Sequence, residues 1–499
     1  MKNGILLLIS YFMILTVVQA QWAQQGNDIN GENTGDSFGR SVSISDDGLT
    51  FASGSSDYDA NGNNAGRARV FYYSNDEWTQ VGSDILGQQA EEGFGFAVSL
   101  NADGSVLAVG APNSSGGGGV TGCVRVYQNN NGSWTQIGDN IYAEAFDDMF
   151  GYNLSLNADG TIVVCGAPFN DGSFEDAGHV RVFQLVDGNW VQLGNDIDGE
   201  AYHDYSGFGL SINADGTIVA IGAPENTGNG AEAGHVRVYQ FSNGNWEQMG
   251  SDIDAQSAGD YLGYSVGLND EGNILVAGAP FTIYNGSHYG SINGYQFVGG
   301  EWVRIGNRIM GKRVDDNFGI SVSINAAGDM IAGGSPTNNG RDFWVGSTRV
   351  YQFVNEGWMQ VGDDIYGEEG QDGQSGFSIS MNANGADIAI GAYQYSNNDG
   401  AGVGQVRVFK NETVGMPEIT SEDISCYPNP TNGRITLNIH NNNSTNIYLY
   451  DITGKVLYHK YLTDASNSLS IDLTGYKSGI YIIKVYNNQE IYTGKIVKK

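Results

Sequence analysis

The octapeptide WTQIGDNI, residues 134–141, decides how this chain folds, because near-copies of it recur six more times. The copies are WAQQGNDI at 22, WTQVGSDI at 78, WVQLGNDI at 190, WEQMGSDI at 246, WVRIGNRI at 302 and WMQVGDDI at 358. Successive tryptophans are always 56 residues apart: Trp22, Trp78, Trp134, Trp190, Trp246, Trp302 and Trp358. A period of this size indicates a solenoid, an array or a propeller. Because every repeat carries the octapeptide, we interpret it as a structural strand and not as a ligand motif.

Each 56-residue repeat predicts four short strands. After the tryptophan strand comes a segment such as FGFAVSLN (94–101), in which apolar residues alternate, and then an Asx-Gly turn. A nearly continuous apolar segment follows, for example IVVCGAP (162–168), which predicts burial on both faces. HVRVFQ (179–184) is the last segment of the same repeat. Four-stranded units repeated seven times predict an all-β fold, a seven-bladed β-propeller over residues 21–413.

The order of the segments predicts how the ring closes. The first repeat begins with the tryptophan strand at 22–29, whereas the last repeat ends with QVRVFK (405–410). We expect the N-terminal strand to become the outer strand of the last blade, because this pairing removes an exposed sheet edge.

The two ends of the chain predict export and a second domain. Residues 1–20, in which Lys2 precedes the apolar run ILLLISYFMILTVV (5–18), have the pattern of a signal peptide. The run is too short for a transmembrane segment, and no other run of spanning length exists. Residues 411–423 are polar and predict a linker. Short alternating strands in residues 424–499 predict a small β-sandwich.

Composition excludes several classes of function. The formal net charge is −33, and it argues against binding to nucleic acid or to an anionic membrane. Three cysteines are too few for a disulfide framework, and we interpret Cys123 and Cys165 as small buried side chains. We expect no cofactor.

The repeat contains, in order, FG, SVSL, DG, AVGAP and VRVY, and it resembles the FG-GAP repeats of integrin-α-type propellers over all seven units. The resemblance implies a propeller fold and, in many members, a Ca²⁺ site in a D-x-D-x-D-G loop between the first two strands of a blade. Here the loop LNADGTIVV (156–164) offers Asn157 and Asp159, but apolar residues follow where later ligands would fall. We expect the fold to carry over and the calcium sites not to.

Segments YPNPTNG (427–433), YDITGK (450–455), GIYIIKV (479–485) and the terminal KIVKK are together similar to the type A C-terminal sorting domain of the type IX secretion system of Bacteroidota. The resemblance covers residues 424–499. It implies passage across the outer membrane by that secretion machinery and a secreted or cell-surface location.

Charged residues recur at fixed places in the repeat. A residue present in nearly every blade is usually architectural, so we interpret these as ion pairs or as carboxylates that cap loop N–H groups. A series of cation sites is the alternative. The acids that precede the FG site are Asp36, Glu92, Asp148, Asp204, Asp260, Asp316 and Asp372, and the arginines of the fourth segment are Arg69, Arg125, Arg181, Arg237, Arg349 and Arg407, with Asn293 in the remaining repeat.

Ligand binding is predicted where one repeat departs most from the others. The loop TNNGRDFWVGS (337–347) contains Phe343 and Trp344, the one tryptophan outside the repeat phase. Aromatics beside cations can stack on a sugar or hold an acidic polymer. The alternative is drift in a tolerant loop. The cations, contributed by the sixth tryptophan strand and the loop after it, are Arg304, Arg308, Lys312 and Arg313.

Catalysis finds little support in the sequence. His179 and His235 occupy equivalent strand positions, which indicates packing, and residues 202–205 (YHDY) form the one local cluster that suggests chemistry. We therefore expect a non-enzymatic binding or adhesion module with an unknown extracellular glycan or protein as its ligand. The alternatives are a polysaccharide-active enzyme with a pocket at the centre of the ring and a structural surface component.

Overall fold

The computed structural model describes two compact units, Met1–Asn411 and Glu412–Lys499, which we treat separately. The described residues of the first unit are 22–116, 119–340, 344–368, 372–398 and 400–411. Those of the second unit are 424–427, 431, 433–439, 445–451, 456–462, 468–477, 479–487 and 490–498. The predicted signal peptide and nearly all of the predicted linker lie outside the described residues.

The first unit is a seven-bladed β-propeller, as the repeats predict. Seven antiparallel sheets follow one another along the chain, and we number them blades 1 to 7. Within blades 1 to 6 the strands lie in chain order from an inner strand to an outer strand, whereas the outer strand of blade 7 comes from the N-terminal end of the chain. The inner strands of all seven blades line one central channel. The described residues of both units contain no helix of the length and hydropathy that a membrane span needs.

The strand bounds repeat from blade to blade. The inner strands are Ser41–Ile44, Ala97–Leu100, Asn153–Leu156, Gly209–Ile212, Ser265–Leu268, Val322–Ile324 and Ser378–Met381. The second strands are Thr50–Ser55, Val106–Ala111, Ile162–Ala167, Ile218–Ala223, Ile274–Ala279, Met330–Ser335 and Asp387–Ala392. The third strands are Arg67–Ser74, Cys123–Asn129, His179–Val186, His235–Ser242, Ser291–Val298, Ser347–Val354 and Gln405–Asn411.

The outer strands contain the octapeptide tryptophans. They are Glu77–Gln80, Trp134–Gln136, Asn189–Gln192, Asn245–Gln248, Glu301–Met310, Gly357–Gln360 and, in blade 7, Trp22–Gln24. Except in blade 5, a two-residue strand continues the pairing with the third strand: Ile85–Leu86, Ile141–Tyr142, Ile197–Asp198, Ile253–Asp254, Ile365–Tyr366 and Ile29–Asn30. Two small hairpins are added, Ser115–Gly116 with Gly119–Val120 and Ile283–Tyr284 with Ser287–His288.

The N-terminal strand closes the ring. Trp22–Gln24 pairs antiparallel with the third strand of blade 7, with Trp22 opposite Asn411. Ile29–Asn30 pairs further along the same strand, and between them the N–H of Gln25 donates to the carbonyl of Val408 at 2.8 Å. The closure predicted from the repeat phase is thus confirmed.

Each octapeptide tryptophan joins its blade to the preceding one. The indole Nε1 donates to a carbonyl in the outer-strand segment of the preceding blade at 2.8–3.1 Å in all seven cases. The indole also lies over the octapeptide glycine of that blade, so that a Cβ on Gly194 would come within 2.8 Å of Trp246 Cδ1. The tryptophan of one octapeptide therefore contacts the glycine of the octapeptide in the preceding blade. The donor–acceptor pairs are Trp78–Gln25, Trp134–Val81, Trp190–Ile137, Trp246–Leu193, Trp302–Met249, Trp358–Ile305 and Trp22–Val361.

The apolar core lies between adjacent blades. One cluster packs Val124 and Val126 of blade 2 against Leu154 and Val163 of blade 3. The second strand Ile162–Ala167 is buried at every position, which explains its continuous apolar sequence, because both of its faces meet a neighbouring blade.

A ring of seven backbone hydrogen bonds surrounds the axis at the turns that follow the inner strands. The N–H of each turn residue donates to the carbonyl of its counterpart in the next blade, at 2.9–3.3 Å. Burial, and then repulsion from Asp270, raises the pKa of the Asp46 carboxyl at this end of the channel. The ring runs through Asp46, Ala102, Ala158, Ala214, Asp270, Ala326 and Ala383 and returns to Asp46.

The second unit contains two antiparallel sheets. One has the strands Ile424–Tyr427, Arg434–Ile439 and Ser468–Asp472, and the other has the order Val456–Leu462, Thr445–Asp451, Gly479–Asn487 and Glu490–Lys498. A single apolar cluster takes Leu437 and Ile471 from the first sheet and Leu449 and Ile483 from the second. Both sheets therefore contribute to one core, and the sandwich arrangement of this unit stays a prediction.

Candidate binding site at the mouth of the central channel

The structure places part of the sequence-predicted ligand site on one loop of blade 6. Trp344 is 42% exposed, and its backbone N–H donates to Asn339 Oδ1 at 2.8 Å. A guanidinium N–H of Arg313 donates to the carbonyl of the same Asn339 at 3.1 Å. Trp344 and Arg313 therefore share a neighbour, while Phe343 lies outside the described residues.

The other three cations of that prediction lie on the outer strand of blade 5 and just after it. Lys312 Nζ lies 2.6 Å from Asp364 Oδ1, and Arg308 lies 3.5 Å from Asp260 Oδ2. Arg304 is exposed. Lys312 and Arg308 therefore have acidic partners inside the protein, and ligand binding at this loop stays a prediction.

The recurrent acidic residues cap loops and pair with arginines. Asp316 Oδ2 accepts a hydrogen bond from the N–H of Lys312 at 3.0 Å, and Glu92 holds Arg125 through two hydrogen bonds of 3.0 and 2.8 Å. Both carboxylates are buried, and their geometry is that of structural residues. Asp372 differs from the other six because it is exposed. It lies one position further from the Ser-Gly pair that replaces FG in its repeat.

The hairpin turns use their own polar side chains. Asn157 Oδ1 accepts from the N–H of Ile162 at 2.9 Å, and Asp159 Oδ1 accepts from both the N–H and the hydroxyl of Thr161 at 2.9 and 2.6 Å. In blade 3 the two side chains considered for a calcium loop therefore stabilise the turn between the inner and second strands.

A collar of mostly aromatic side chains surrounds one end of the central channel, whose volume is about 510 Å³. Each member directly follows the FG pair, or its equivalent, in one repeat. Ring centroids of neighbouring members from blade 2 to blade 5 are 4.6–5.0 Å apart. In chain order the collar consists of Arg40, Phe96, Tyr152, Phe208, Tyr264, Ile320 and Phe377.

Arg40 lies among aromatic rings at this mouth. Its Cζ is 4.2 Å from the ring centroid of Phe96, 4.9 Å from that of Phe377 and 5.6 Å from that of Tyr393. These contacts orient the guanidinium through cation–π attraction. Within the described part of the chain it forms no ion pair or side-chain hydrogen bond, so its N–H groups can donate to a ligand.

Further aromatic rings extend the collar outward over the loops that follow the second strands. The ring of Phe169 lies 6.3 Å from Tyr152 and 5.2 Å from Tyr205. In blade 5, Phe281 lies 6.3 Å from Tyr264. An aromatic surface therefore continues from the channel mouth onto the loops of blades 3 and 5.

A polar groove of about 380 Å³ adjoins the collar at blades 1 and 2. Glu91 accepts hydrogen bonds from Asn63 at 2.6 Å and from Asn64 at 3.0 Å, and these bonds lower the pKa of its carboxyl. Asp57 accepts from the hydroxyl of Ser37 at 2.6 Å. The groove therefore presents carboxyl and amide groups beside the aromatic mouth. Its lining includes Arg40, Phe96 and Tyr393 with Asp57, Asn64, Glu91 and Asn113.

The collar tyrosines remain neutral hydrogen-bond donors. Burial raises the pKa of Tyr152 and raises the pKa of Tyr264 to about 12, while the positive charge of Arg40 has the opposite, smaller effect on both. Each phenol can thus donate one hydrogen bond and accept another at neutral pH.

Residues 202–205 lie at the outer edge of this surface. His203 Nδ1 lies 3.2 Å from Asp176 Oδ2, and the ring of Tyr202, which is 61% exposed, lies 5.0 Å from Phe174. Tyr205 has a φ of 52°, and a left-handed φ recurs at the same position of every repeat, for example at Met149 and Tyr261, so this conformation belongs to the architecture of the blade. The cluster suggested by the sequence thus belongs to the rim of the channel mouth.

Reasoning from the sequence missed the collar, although the repeat contains the pattern. The residue after FG is fixed in position by its neighbours, yet its identity changes from Arg40 to Phe96 to Tyr152 and onward. The predicted ligand site was instead based on loops whose amino-acid composition differs from that of the other repeats. The pattern that indicates the site is one position of variable identity, directly after the FG pair or its equivalent.

Comparison with known proteins identifies the C-terminal unit. Residues 425–499 match the family described as "Secretion system C-terminal sorting domain". This domain directs export through the type IX secretion machinery, so the chain is a secreted or cell-surface propeller protein. A comparison with curated proteins finds no match for the chain.

Solved structures with a similar arrangement share little sequence with this chain. A putative 6-phosphogluconolactonase from Bacteroides uniformis is 13% identical over 66% of this chain and 86% of its own, with a TM-score of 0.46. The Dos1 propeller is 11% identical over 78% and 95%, with a TM-score of 0.45. An oligogalacturonate lyase from Vibrio parahaemolyticus is 10% identical over 79% and 97%, with a TM-score of 0.44. At these values the likenesses say nothing about the activity of this chain.

Proposed function

We propose that the propeller is a non-enzymatic extracellular binding protein whose ligand is an uncharged carbohydrate chain, held at the mouth of the central channel. The observation that carries this proposal is the continuous collar from Phe96 through Tyr152 and Phe208 to Tyr264, with a polar groove beside it. Aromatic rings pack on the apolar faces of sugar rings, and convergent polar groups fix the orientation of a ligand.

The polar groups of the groove match sugar hydroxyls. The carboxyl oxygens of Asp57 and Glu91 accept hydrogen bonds from hydroxyl groups, and the guanidinium of Arg40 donates to hydroxyl and ring oxygens. Charged partners roughly double the strength of such hydrogen bonds.

Charge favours an uncharged ligand over an acidic one. The chain has a net charge of −33, and the groove places Asp57 and Glu91 near the one arginine of the collar. An acidic polymer would be repelled by this field, whereas a neutral glycan would not.

Location and repeat type agree with a binding role. A sorting domain occupies residues 425–499, and polymers of the cell exterior are the partners that such a protein meets. The resemblance of the repeats to the FG-GAP propellers of the integrin-α type also supports binding or adhesion, and we include it in the proposal.

The test is a glycan array followed by calorimetry on the purified chain and its variants. We expect neutral oligosaccharides to bind and the variant Phe208→Ala to weaken binding about three- to tenfold, as the loss of one aromatic contact implies. Arg40→Gln should weaken it about tenfold or more through the loss of charge-assisted hydrogen bonds. Trp344→Ala, in the sequence-predicted loop, is the matched aromatic control and should bind like the wild type.

Three results would contradict the proposal. Binding lost in Trp344→Ala but kept in Phe208→Ala would move the ligand to the loop of blade 6. Binding only to uronate-containing glycans, or only to matrix proteins, would refute the ligand class. Shortened oligosaccharides after incubation with the protein would favour the competing proposal of a polysaccharide-active enzyme.

A further inference from the structure

Blade 1 contains a buried cation that holds three carboxylates together. The guanidinium of Arg67, fully buried, lies 2.9 Å from Glu32, 2.9 Å from Asp84 and 3.2 Å from Asp36. Arg69 also pairs with Glu32 at 3.1 Å. Two positive charges therefore face three negative charges where the connection from blade 7 meets the third strand of blade 1.

Blades 3 and 4 keep the three acids but replace the central arginine with histidine. The position of Arg67 is taken two and three repeats later by His179 and His235. In blade 3 the potential ligand atoms of Glu144, His179 and Asp196 all lie within 4.8 Å of one another. In blade 4 the same holds for Glu200, His235 and Asp252. Among the described residues, only these two groups of histidine, cysteine and carboxylate side chains are this compact.

Both imidazoles are buried, and one nitrogen of each has no hydrogen-bond partner among the described residues. His179 and His235 are each 2% exposed, and the Nε2 of each has no partner among the described residues. In blade 4 the other ring nitrogen, Nδ1, faces the carboxylates and lies 3.9 Å from Asp252 Oδ2. At this distance Nδ1 is too far from Asp252 for a hydrogen bond, so the ring does not make the contact that Arg67 makes with Asp84 at 2.9 Å in blade 1.

The remaining arginine leaves each cluster short of positive charge. Arg181 lies 3.2 Å from Glu144 and 3.5 Å from Asp196, as Arg69 does beside Glu32 in blade 1. His179 stands where blade 1 has Arg67, whose guanidinium is always charged, so this position loses a fixed positive charge. Blade 3, and blade 4 in the same way with Arg237 and Glu200, are therefore one cation short of blade 1.

We propose that blades 3 and 4 each bind one divalent transition-metal ion, such as Zn²⁺, at the place that the Arg67 guanidinium occupies in blade 1. One neutral imidazole nitrogen and two carboxylate oxygens are a ligand set that zinc accepts, with water at the remaining position. The side chains of Glu144 and Asp196 are 50% and 29% exposed, so an ion can enter from solvent. The ion would tie the connection between two blades to the third strand and would stabilise the fold.

The other blades show what replaces the metal. Blade 2 has Gln88, Cys123 and Asn140 at the three positions, with no charge. Blade 6 has Lys312 paired with Asp364 at 2.6 Å. Blade 7 keeps two acids, Glu368 and Asp28, and places Gln405 where blade 1 has Arg67, with Gln405 Nε2 3.4 Å from Glu368. Among the described residues, only blades 3 and 4 combine histidine with two acids.

The test is calorimetric titration of the chelator-treated protein with ZnCl₂. We expect two sites in the wild type, one in His179→Arg and in His235→Arg, and none in the double variant. The arginine recreates the blade 1 arrangement, so each single variant should also melt at a higher temperature than the metal-free wild type. His179→Gln and His235→Gln remove the ligand without adding charge and keep the test valid if arginine does not fit.

Asp187→Asn, in an exposed hairpin of blade 3, changes the charge by the same amount as His→Arg and should retain both sites. Two sites in the double variants would overturn the proposal, because cations would then be held by surface acids alone. Equal binding of Ca²⁺ and Zn²⁺ in the wild type, unaffected by the glutamine variants, would overturn it as well.

Discussion

Replacing Trp22 with alanine should destabilise the protein as much as replacing Trp190, although Trp22 lies at the very start of the described chain. Both indoles are partly buried, and both donate to a carbonyl of the preceding blade, Trp22 to Val361 at 3.0 Å and Trp190 to Ile137 at 2.9 Å. A tryptophan buries about 150–250 Å², and half of that at ~25 cal/mol per Å² is about 2–3 kcal/mol. The lost hydrogen bond adds about 1 kcal/mol, so each variant should lose about 3–4 kcal/mol.

Differential scanning calorimetry measures this loss. Unfolding entropy of ~2.1 cal/mol/K per residue, over the roughly 390 residues of the propeller, converts 3–4 kcal/mol into a fall in Tm of about 4–5 °C. Trp344→Ala, at a tryptophan that is 42% exposed and does not belong to these contacts between blades, should lose less stability than either variant. If Trp190→Ala falls and Trp22→Ala does not, the N-terminal strand does not close the ring and the reasoning fails.

Three further predictions follow from single contacts. Gly194→Ala should destabilise more than Gly188→Ala, because both have positive φ but only the first new Cβ would meet an indole, at 2.8 Å; equal urea midpoints would show that the indole yields freely. Glu92→Gln leaves its buried arginine partner without a counter-charge and should cost about 3–5 kcal/mol in chemical unfolding; a loss below about 1 kcal/mol would place water beside that arginine. Burial raises the pKa of the Cys123 and Cys165 thiols, so mass spectrometry should find neither alkylated by iodoacetamide at pH 8 in the native protein and both alkylated in denaturant; native labelling would contradict the buried placement.

The architecture was predictable because the sequence repeats with a constant period of 56 residues. Seven tryptophans at one spacing, a strand pattern of period two and a repeat that begins in mid-blade predict the number of blades and the closing strand. The partner of each tryptophan was not predictable, because the contact from Trp246 to Leu193 joins positions 53 residues apart, and no local pattern specifies such a pairing.

The position of the candidate site was not predictable for a related physical reason. A search for departures from the repeat leads to loops that are rich in aromatics and cations, such as the one with Trp344. Yet the structure gives Lys312 and Arg308 acidic partners, whereas Arg40 lies at the channel mouth among aromatic rings. Whether a cation is balanced within the protein depends on neighbours from another blade, and sequence alone does not show these.

Constant and varying positions of the repeat therefore have different physical tasks. The tryptophan and glycine of the octapeptide contact the next copy, so a change in one blade is felt by its neighbour, and all seven copies remain alike. The residue after FG faces the axis, where it meets its counterparts in other blades but does not hold the sheets together. Such a position can change from Arg40 to Phe96 to Ile320 without altering the blade beneath it. A closed ring of like contacts thus supports a mouth whose chemistry differs from blade to blade. In the binding function that we propose, this asymmetry fixes the orientation of the ligand.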